Sequence, residues 1–376
     1  MCLKILVGAD LVPTKSNYEA FINSDVEYLI GGELIDILNE NHIRIFNLEA
    51  PLAEVGSPIN KCGPNLIAPL ETIKAIKKMN PSLLTLANNH IMDQGTQGLE
   101  STLKILEEYE IPYSGVGRNS VEAAIPYSFE MKGKKVGVYA CAENEFSIST
   151  KQIEGANAFD LIESFDHIKS LKRVCDFVIV LYHGGNEFYR YPSPYLQKRC
   201  RKMAENGADL IVCQHSHCIG CFEKYINSTI VYGQGNFIFD HADNEFTSNS
   251  LMIQAQLFNG SYYIDYIPIM KRGNKVELAD IDEADEVLVA FNKRSEQILQ
   301  KDFIENEYQI FAKSRETTYL NALCGNHITL KILNKIFRNK LSKKLYSKAA
   351  LTKILNYIEC EAHRELIITL LKNSIK

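Results

Sequence analysis

The sequence predicts an α/β fold of layered sheets flanked by helices, closed by a helical appendage at the C-terminal end. Three observations carry this expectation. Over residues 1–270, short apolar runs alternate with segments of helical spacing, as in a layered α/β domain. Near residue 225 the pattern changes to closely spaced apolar runs with a turn signal between them, and from about residue 280 the spacing is helical. The division drawn from these changes is a domain over 1–272 and a helical region over 273–376, basic at its end.

The elements follow in order. Strands are expected over 3–7, 43–47, 83–87, 135–140, 177–181 and 210–213, each a short apolar run. Helical spacing marks 28–40, 70–78, 98–109, 166–173 and 194–206 between them. Further strands are read at 228–232, 236–239, 251–257 and 262–269. Asn259-Gly260 between the last two is a hairpin signal, so the sheet should finish with antiparallel strands. A helix is expected over 284–304, and 328–376 is helical and basic.

Composition bounds the function. At 376 residues, 46% hydrophobic and 23% charged, the chain is neither disordered nor collagen-like nor a disulfide-dense mini-protein. The net charge of −5 gives no global attraction to nucleic acid. That charge is unevenly placed. Residues 330–376 hold 11 Lys and Arg against 3 Glu, a local +8 that leaves −13 on the remainder. Such a tail is a candidate contact for an anionic membrane surface or an acidic partner, weighed against a solvated helical face. No run of about 18 apolar residues occurs, so no membrane span is expected. Of the ten cysteines, Cys141, Cys175 and Cys213 lie inside apolar runs, where a reduced thiol acts as a small hydrophobe. With no secretory signal read at the start, the expected location is the cytoplasm. Cys213, Cys218 and Cys221 match part of an iron–sulfur spacing, but a His-x-His interrupts them and no fourth ligand follows, so they are read as incidental.

Chemistry-bearing residues cluster just after the apolar runs, where open α/β sheets place their ligands. The segments are Gly8-Ala9-Asp10, Asn47-Leu48-Glu49, Ala87-Asn88-Asn89-His90, His183-Gly184-Gly185-Asn186-Glu187, Gln214-His215-Ser216-His217 and Gly233-Gln234-Gly235-Asn236-Phe237. Any one alone reads as a turn, a cap or a packed histidine. Together they bring carboxylates and imidazoles to one rim, a donor set that suits a divalent metal such as Zn, Mn or Fe. In His215-Ser216-His217 the expectation is that strand alternation aims both rings the same way.

The order and character of these six segments resemble the CapA family of capsule-synthesis proteins, whose domain looks like the calcineurin-type metallophosphatase fold. The resemblance covers about residues 3–270, and its most specific parts are Ala87-Asn88-Asn89-His90 and Gly235-Asn236-Phe237-Ile238-Phe239-Asp240. It implies one or two divalent ions, with Asp10 and His217 as ligands of the first metal. Asn89, His183 and His215 would bind the second, and Glu49 would bridge. It also implies that His90 contacts a substrate oxygen and that Glu187 orients His183 or acts in acid/base work. Lys61 and Arg190 are candidates to meet an anionic substrate or polymer, and Asn88 and Asn236 to hydrogen-bond around the site. Two departures from the wider metallophosphatase pattern stand out. Val12 sits where Asp-x-His would place a histidine, and the bridging position is Glu rather than Asp. The implied function is a metal-dependent, phosphoesterase-type hydrolase in capsule or poly-γ-glutamate synthesis, or else a non-catalytic component of that machinery.

Overall fold

The computed structural model describes residues 2–240, 244–323, 332–333, 335–337 and 346–375. β1 (Leu3–Val12) leads into α1 (Tyr18–Ile22), α2 (Val26–Glu40), β2 (Ile43–Leu48), α3 (Ile73–Lys78), β3 (Leu83–Thr85) and α4 (Gly95–Glu108). The short β4 (Tyr113–Ser114), β5 (Val116–Gly117) and α5 (Ser120–Ala123) precede β6 (Tyr127–Met131), β7 (Lys134–Ala142) and β8 (Gly155–Ala156). Next come α6 (Glu163–Lys172), β9 (Phe177–His183), α7 (Pro194–Glu205) and β10 (Leu210–Gln214). The strands β11 (Phe222–Tyr225), β12 (Ser228–Tyr232), β13 (Asn236–Phe239), β14 (Asn249–Leu257), β15 (Tyr262–Arg272) and β16 (Lys275–Leu278) follow. The remaining elements are α8 (Ile281–Gln297), α9 (Phe303–Leu323), α10 (Lys348–Glu359) and α11 (Glu361–Ile375).

Two large sheets form. One runs β16-β15-β14-β1-β2-β3-β4, with β13 also paired to β1, and the other runs β11-β12-β10-β9-β7-β6. Side-chain alternation along the strands decides what each face meets. Leu3, Ile5, Val7, Ile43 and Ile45 of the first sheet pack against Val136, Val138, Ile179, Leu181 and Val212 of the second. The opposite face of the first sheet, with Leu6, Phe46 and Leu84, meets Leu29 and Leu34 of α2, Ile76 of α3 and Leu99 of α4. The opposite face of the second, with Val178, Val180 and Ile211, meets Ile168 of α6 and Leu196 and Met203 of α7. The architecture is therefore helices, sheet, sheet, helices. The α/β class, the layering and the closing antiparallel hairpin (Leu257 opposite Tyr262) agree with the sequence.

β1 shares one edge between two partners. Leu3–Val7 pair antiparallel with β14, whereas Asp10–Val12 pair parallel with β13. Its pairing with β2 is irregular between Val7 and Asp10. Gly8 lies in that break, where a Cβ would stand 2.2 Å from the Phe46 ring. A side chain there would push the ring away, which is why the position takes glycine.

The contact boundary falls later than the sequence division at 272/273. The compact unit runs from Met1 to Glu305, and residues Asn306–Lys376 form a second. The helix α8 belongs to the first because its apolar side covers the sheets. Phe291 is fully buried, with ring centroids 5.1 Å from Phe222 and 4.9 Å from Tyr266, and Ser295 Oγ accepts from Phe222 N. The helix expected over 284–304 is broken before α9, with Asp302 in the left-handed region at φ 58°. In the second unit α10 packs on α11. Much of the basic stretch, 330–331, 334 and 338–345, lies outside the described residues. Among the described residues no helix is long and apolar enough to cross a membrane, and the cysteines are free thiols.

Replacing Phe291 by alanine should lower the unfolding free energy by about 3–5 kcal/mol, the usual loss for a buried phenylalanine. Urea denaturation reads this directly. A loss below about 1 kcal/mol would show that α8 is not part of the cooperative body.

Candidate metal centre

Six strands deliver the site at one end of the sandwich. Asp10 lies within β1, Glu49 directly follows β2, and Asn88, Asn89 and His90 lie beyond β3. His183 is the last residue of β9, His215 and His217 follow β10, and Asn236 opens β13. All are buried. The most exposed, His215, has only 9% of its surface accessible.

Neutral side chains fix the framework. Asn47 Nδ2 donates to Asp10 Oδ1 at 2.8 Å and stands 3.3 Å from His183 Nδ1, which ties β1, β2 and β9 together. Its Oδ1 accepts from Asn88 Nδ2 at 3.0 Å. Asn88 also donates to Leu48 O at 2.9 Å, and its Oδ1 accepts from His90 N at 3.1 Å. Both ends of the Asn88 amide are thus engaged within the framework, and the residue is fully buried. It holds the turn that carries Asn89 and His90 against β2. Asn236 Oδ1 lies 2.8 Å from His217 Nδ1. Accepting that N–H leaves Nε2 as the basic nitrogen of His217, the usual way a neighbour sets a ligand's tautomer.

The carboxylates are the least satisfied groups. Neither Glu49 oxygen has a hydrogen-bond partner, although Oε1 lies 3.2 Å from His183 Nε2. His183 Nε2 is also 3.0 Å from Asn89 Oδ1. Asp10 Oδ2 accepts from His215 N at 3.4 Å and lies 3.8 Å from His217 Nδ1. Burial, and for Asp10 also the charge of Glu49, raises both carboxyl groups to about 7. Burial pushes His183 below its ordinary value. It pushes His215 well below, helped by the neighbouring histidines. Neutral imidazoles are the form that ligates metals.

Ligand atoms of Asp10, Glu49 and His183 lie within 4.8 Å of one another, as do those of Glu49, His215 and His217. Glu49 is common to both groups. Buried acidic and imidazole donors with partnerless oxygens fit a divalent cation. Asp10 lies 3.8 Å from His217 Nδ1 and 4.0 Å from His183 Nδ1, so it stands within reach of both histidines. The site brings together all six sequence-assigned ligand residues, and His90 beside them. The third position of the first motif, Val12, is buried in the strand opposite Phe239 and adds no donor.

The His-x-His geometry differs from the sequence expectation. β10 ends at Gln214, and His215 and His217 adopt φ 81° and 52°. A left-handed turn, not strand alternation, aims the rings. Such conformations are unfavourable for non-glycine residues and gather at functional sites.

The sequence reading gave Asp93 no role of its own, yet it organises the neighbourhood of His90. Asp93 Oδ2 is 2.5 Å from His90 Nδ1 and accepts from Leu66 N at 2.6 Å, while its Oδ1 pairs with Lys61 Nζ. Lys61 Nζ also lies 3.1 Å from His90 Nδ1. The spacing His90-Ile91-Met92-Asp93, i and i+3 in a turn, was the available signal. Lys61 is therefore beside the site but buried in an ion pair. Glu187 is exposed and close enough for its charge to act on Glu49 and His183. Arg190 is turned to other partners. Its Nη1 donates to Ile219 O at 3.0 Å and its Nη2 to Glu245 O at 2.7 Å.

Residues 4–241 match the family model described as "Bacterial capsule synthesis protein PGA_cap". The chain is 32% identical over 212 residues to the Capsule biosynthesis protein CapA of Bacillus anthracis, covering 54% of this chain and 51% of that protein. It is 30% identical over 203 residues to the PGA biosynthesis protein CapA of Bacillus subtilis (strain 168), covering 53% of each. The chain thus spans about half the length of these curated relatives. Among solved structures, a novel phosphatase from Mycoplasma pneumoniae aligns at 13% identity and TM-score 0.47, over 73% of this chain and 95% of that one. A 5'-nucleotidase precursor from Thermus thermophilus aligns at 12% and 0.42, over 78% and 59%.

The raised carboxyl groups set a pH dependence. Because Asp10 and Glu49 hold protons in the folded protein up to about 7, the metal-free form binds more protons than the unfolded chain between about 4 and 7. Its stability should therefore fall as pH rises through that window. A metal competes with those protons, so Mn or Zn should raise the melting temperature more at pH 8 than at pH 5.5. Thermal melts with chelator and with added metal test this. An equal gain at both pH values would show that these carboxyl groups are not ligands.

Proposed function

The chain belongs to the bacterial capsule synthesis family, and on that premise we propose that it is a metal-dependent hydrolase of phosphoester bonds serving capsule or poly-γ-glutamate synthesis. The observation that carries the reading is the fully buried Glu49, both oxygens without hydrogen-bond partners, shared by two groups of potential ligands. Asp10, Glu49, His183, His215 and His217, with Asn89 beside His183, would hold one or two ions of Mn, Fe or Zn. Such an ion, when bound, polarises a phosphoryl oxygen and makes water a nucleophile near neutral pH.

The chain's own residues supply the rest. His90 gives its Nδ1–H to Asp93, which leaves Nε2 to meet the ester oxygen. In the reaction a water oxygen bonds to phosphorus and the ester P–O bond breaks; the departing alcohol takes the Nε2 proton of the imidazolium form of His90, and the proton the water loses restores it. Asp93 holds the ring in position, and Lys61 balances the Asp93 charge so that the carboxylate stays an acceptor. Glu187, exposed at the same end, would turn away the more strongly acidic portions of a substrate or contact its hydroxyl groups.

A second reading has its own observation. Val12 adds no ligand where a third-position histidine would stand, which suits a non-catalytic scaffold component of the polymer machinery. Metal content separates the two. Purified protein holding no Mn, Fe or Zn by mass spectrometry, with no gain on reloading, would favour the scaffold.

Stripped protein reloaded with metal should hydrolyse a generic phosphomonoester. His90→Ala should lower kcat roughly 100- to 10,000-fold, the usual range for a proton-transferring side chain. Asn89→Ala should weaken metal retention as well as rate. Full activity in His90→Ala would remove His90 from the chemistry.

A further inference from the structure

Two arginines on one cavity, which Glu283 and Glu286 also line, are paired to no carboxylate among the described residues. Arg190, from the segment after His183, and Arg294, near the end of α8, both line a cavity of about 250 Å³ with Asn249, Met270 and Ala290. Both hold backbone carbonyls of adjacent residues. Arg190 Nη1 donates to Ile219 O at 3.0 Å, and Arg294 Nε donates to Gly220 O at 2.7 Å. Neither guanidinium forms an ion pair with a carboxylate among the described residues. Burial and the nearby Arg190 charge push Arg294 below its ordinary value. Two like charges at one half-buried cavity are unfavourable until an anion joins them, and guanidinium forks match oxyanions well.

The acidic residues around the cavity do not neutralise the pair. Glu283 is engaged by Arg272, whose Nη2 stands 2.6 and 2.7 Å from its two oxygens, and it also closes the capping box of α8. Glu286 is exposed at the rim. The remaining donor capacity is on the arginines, since Arg294 uses only Nε and Arg190 leaves its Nε without a partner. We propose that this cavity is a second, non-catalytic site, which binds a compact tetrahedral oxyanion of the phosphate or sulfate class between Arg190 and Arg294. Ile219-Gly220, whose carbonyls both arginines hold, lie two and three residues after His217. The ligand would thereby brace the loop that leaves the metal centre. The site stands whether or not the chain is a hydrolase.

Sulfate is the probe, because it does not turn over. Calorimetric titration of the full chain, metal stripped and at constant ionic strength, should show saturable binding that chloride does not reproduce. Arg294→Gln should weaken it at least about tenfold, in line with the loss of a charge-assisted contact. Ala290→Glu, which places a carboxylate one helical turn from Arg294, should abolish sulfate binding while keeping or raising Tm. That second variant decides the matter if Arg294→Gln fails to fold. Asn89→Ala, at the metal centre, should leave the sulfate isotherm unchanged. Competition by glycerol phosphate would assign a phosphate borne on a larger ligand, and sulfate binding without it a free ion; both support the site. No saturable sulfate binding, equal binding by Ala290→Glu, or loss of binding in Asn89→Ala would overturn it.

Discussion

The structure turns on one buried carboxylate. Glu49 is removed from water, and neither of its oxygens has a hydrogen-bond partner. An ionised carboxylate in that state costs several kcal/mol unless a cation meets it. Lys61, whose charge acts on Glu49, is paired to Asp93 instead. What surrounds Glu49 is Asp10, whose carboxyl is also raised by burial, and histidines that burial holds neutral. This is an environment of electron-pair donors with one kind of complement, a multivalent cation. Without it, the carboxyl groups retain protons to about neutral pH.

The two sheets contribute different halves of that environment. The first, through β1, β2 and β3, supplies the candidate oxygen ligands Asp10, Glu49 and Asn89. The second, through β9 and β10, supplies the imidazoles His183, His215 and His217. The short contacts between oxygen and nitrogen ligands, such as Glu49 to His183 at 3.2 Å, therefore cross from one sheet to the other. The apolar layer of Ile5, Val7, Val138, Ile179 and Val212 is what brings the halves together. Packing between the sheets and assembly of the candidate metal centre are thus the same event. The neutral amide of Asn47 does the fine adjustment, since it touches Asp10 and His183 at once without adding charge.

Much of this was legible in the sequence, and the reasons for success and failure are physical. Central strands are continuous apolar runs, so β1, β2, β9, β10 and β12 stood out, and the residues that follow them stood out with them. Edge strands such as β6, half exposed along its length, carry no such run. The candidate site residues come together because chemistry-bearing side chains after buried strands converge, but their direction is not readable from the sequence. Arg190 sits near the ligands in sequence and is turned to Ile219 and Glu245. Asn88 adjoins a ligand and is engaged entirely by backbone and Asn47. Asp93 is three residues from His90, a spacing the sequence shows, but its contacts with Lys61 and Leu66 join segments about thirty residues apart, which no local pattern encodes.

The His215–His217 turn shows why the arrangement persists despite its strain. Two non-glycine residues in the left-handed region each cost about 1–3 kcal/mol, and a strand continuing past Gln214 would avoid that. A continuing strand would also point both rings to one face, but it would keep the His215 N–H in the ladder. The turn instead frees the His215 N–H to reach Asp10, which accepts it at 3.4 Å, and brings His217 Nδ1 within 3.8 Å of the same carboxylate. It also sets His217 against Asn236, the residue paired with Asp10 across β1 and β13. Asp10 is therefore both a candidate ligand and the acceptor that holds the histidine turn. An asparagine at this position would keep an acceptor oxygen and lose the charge, whereas an alanine would lose both. The strained turn and the split edge of β1 are consequently one construction. The irregular pairing around Gly8 lets Asp10 leave the regular ladder, and the turn closes onto it.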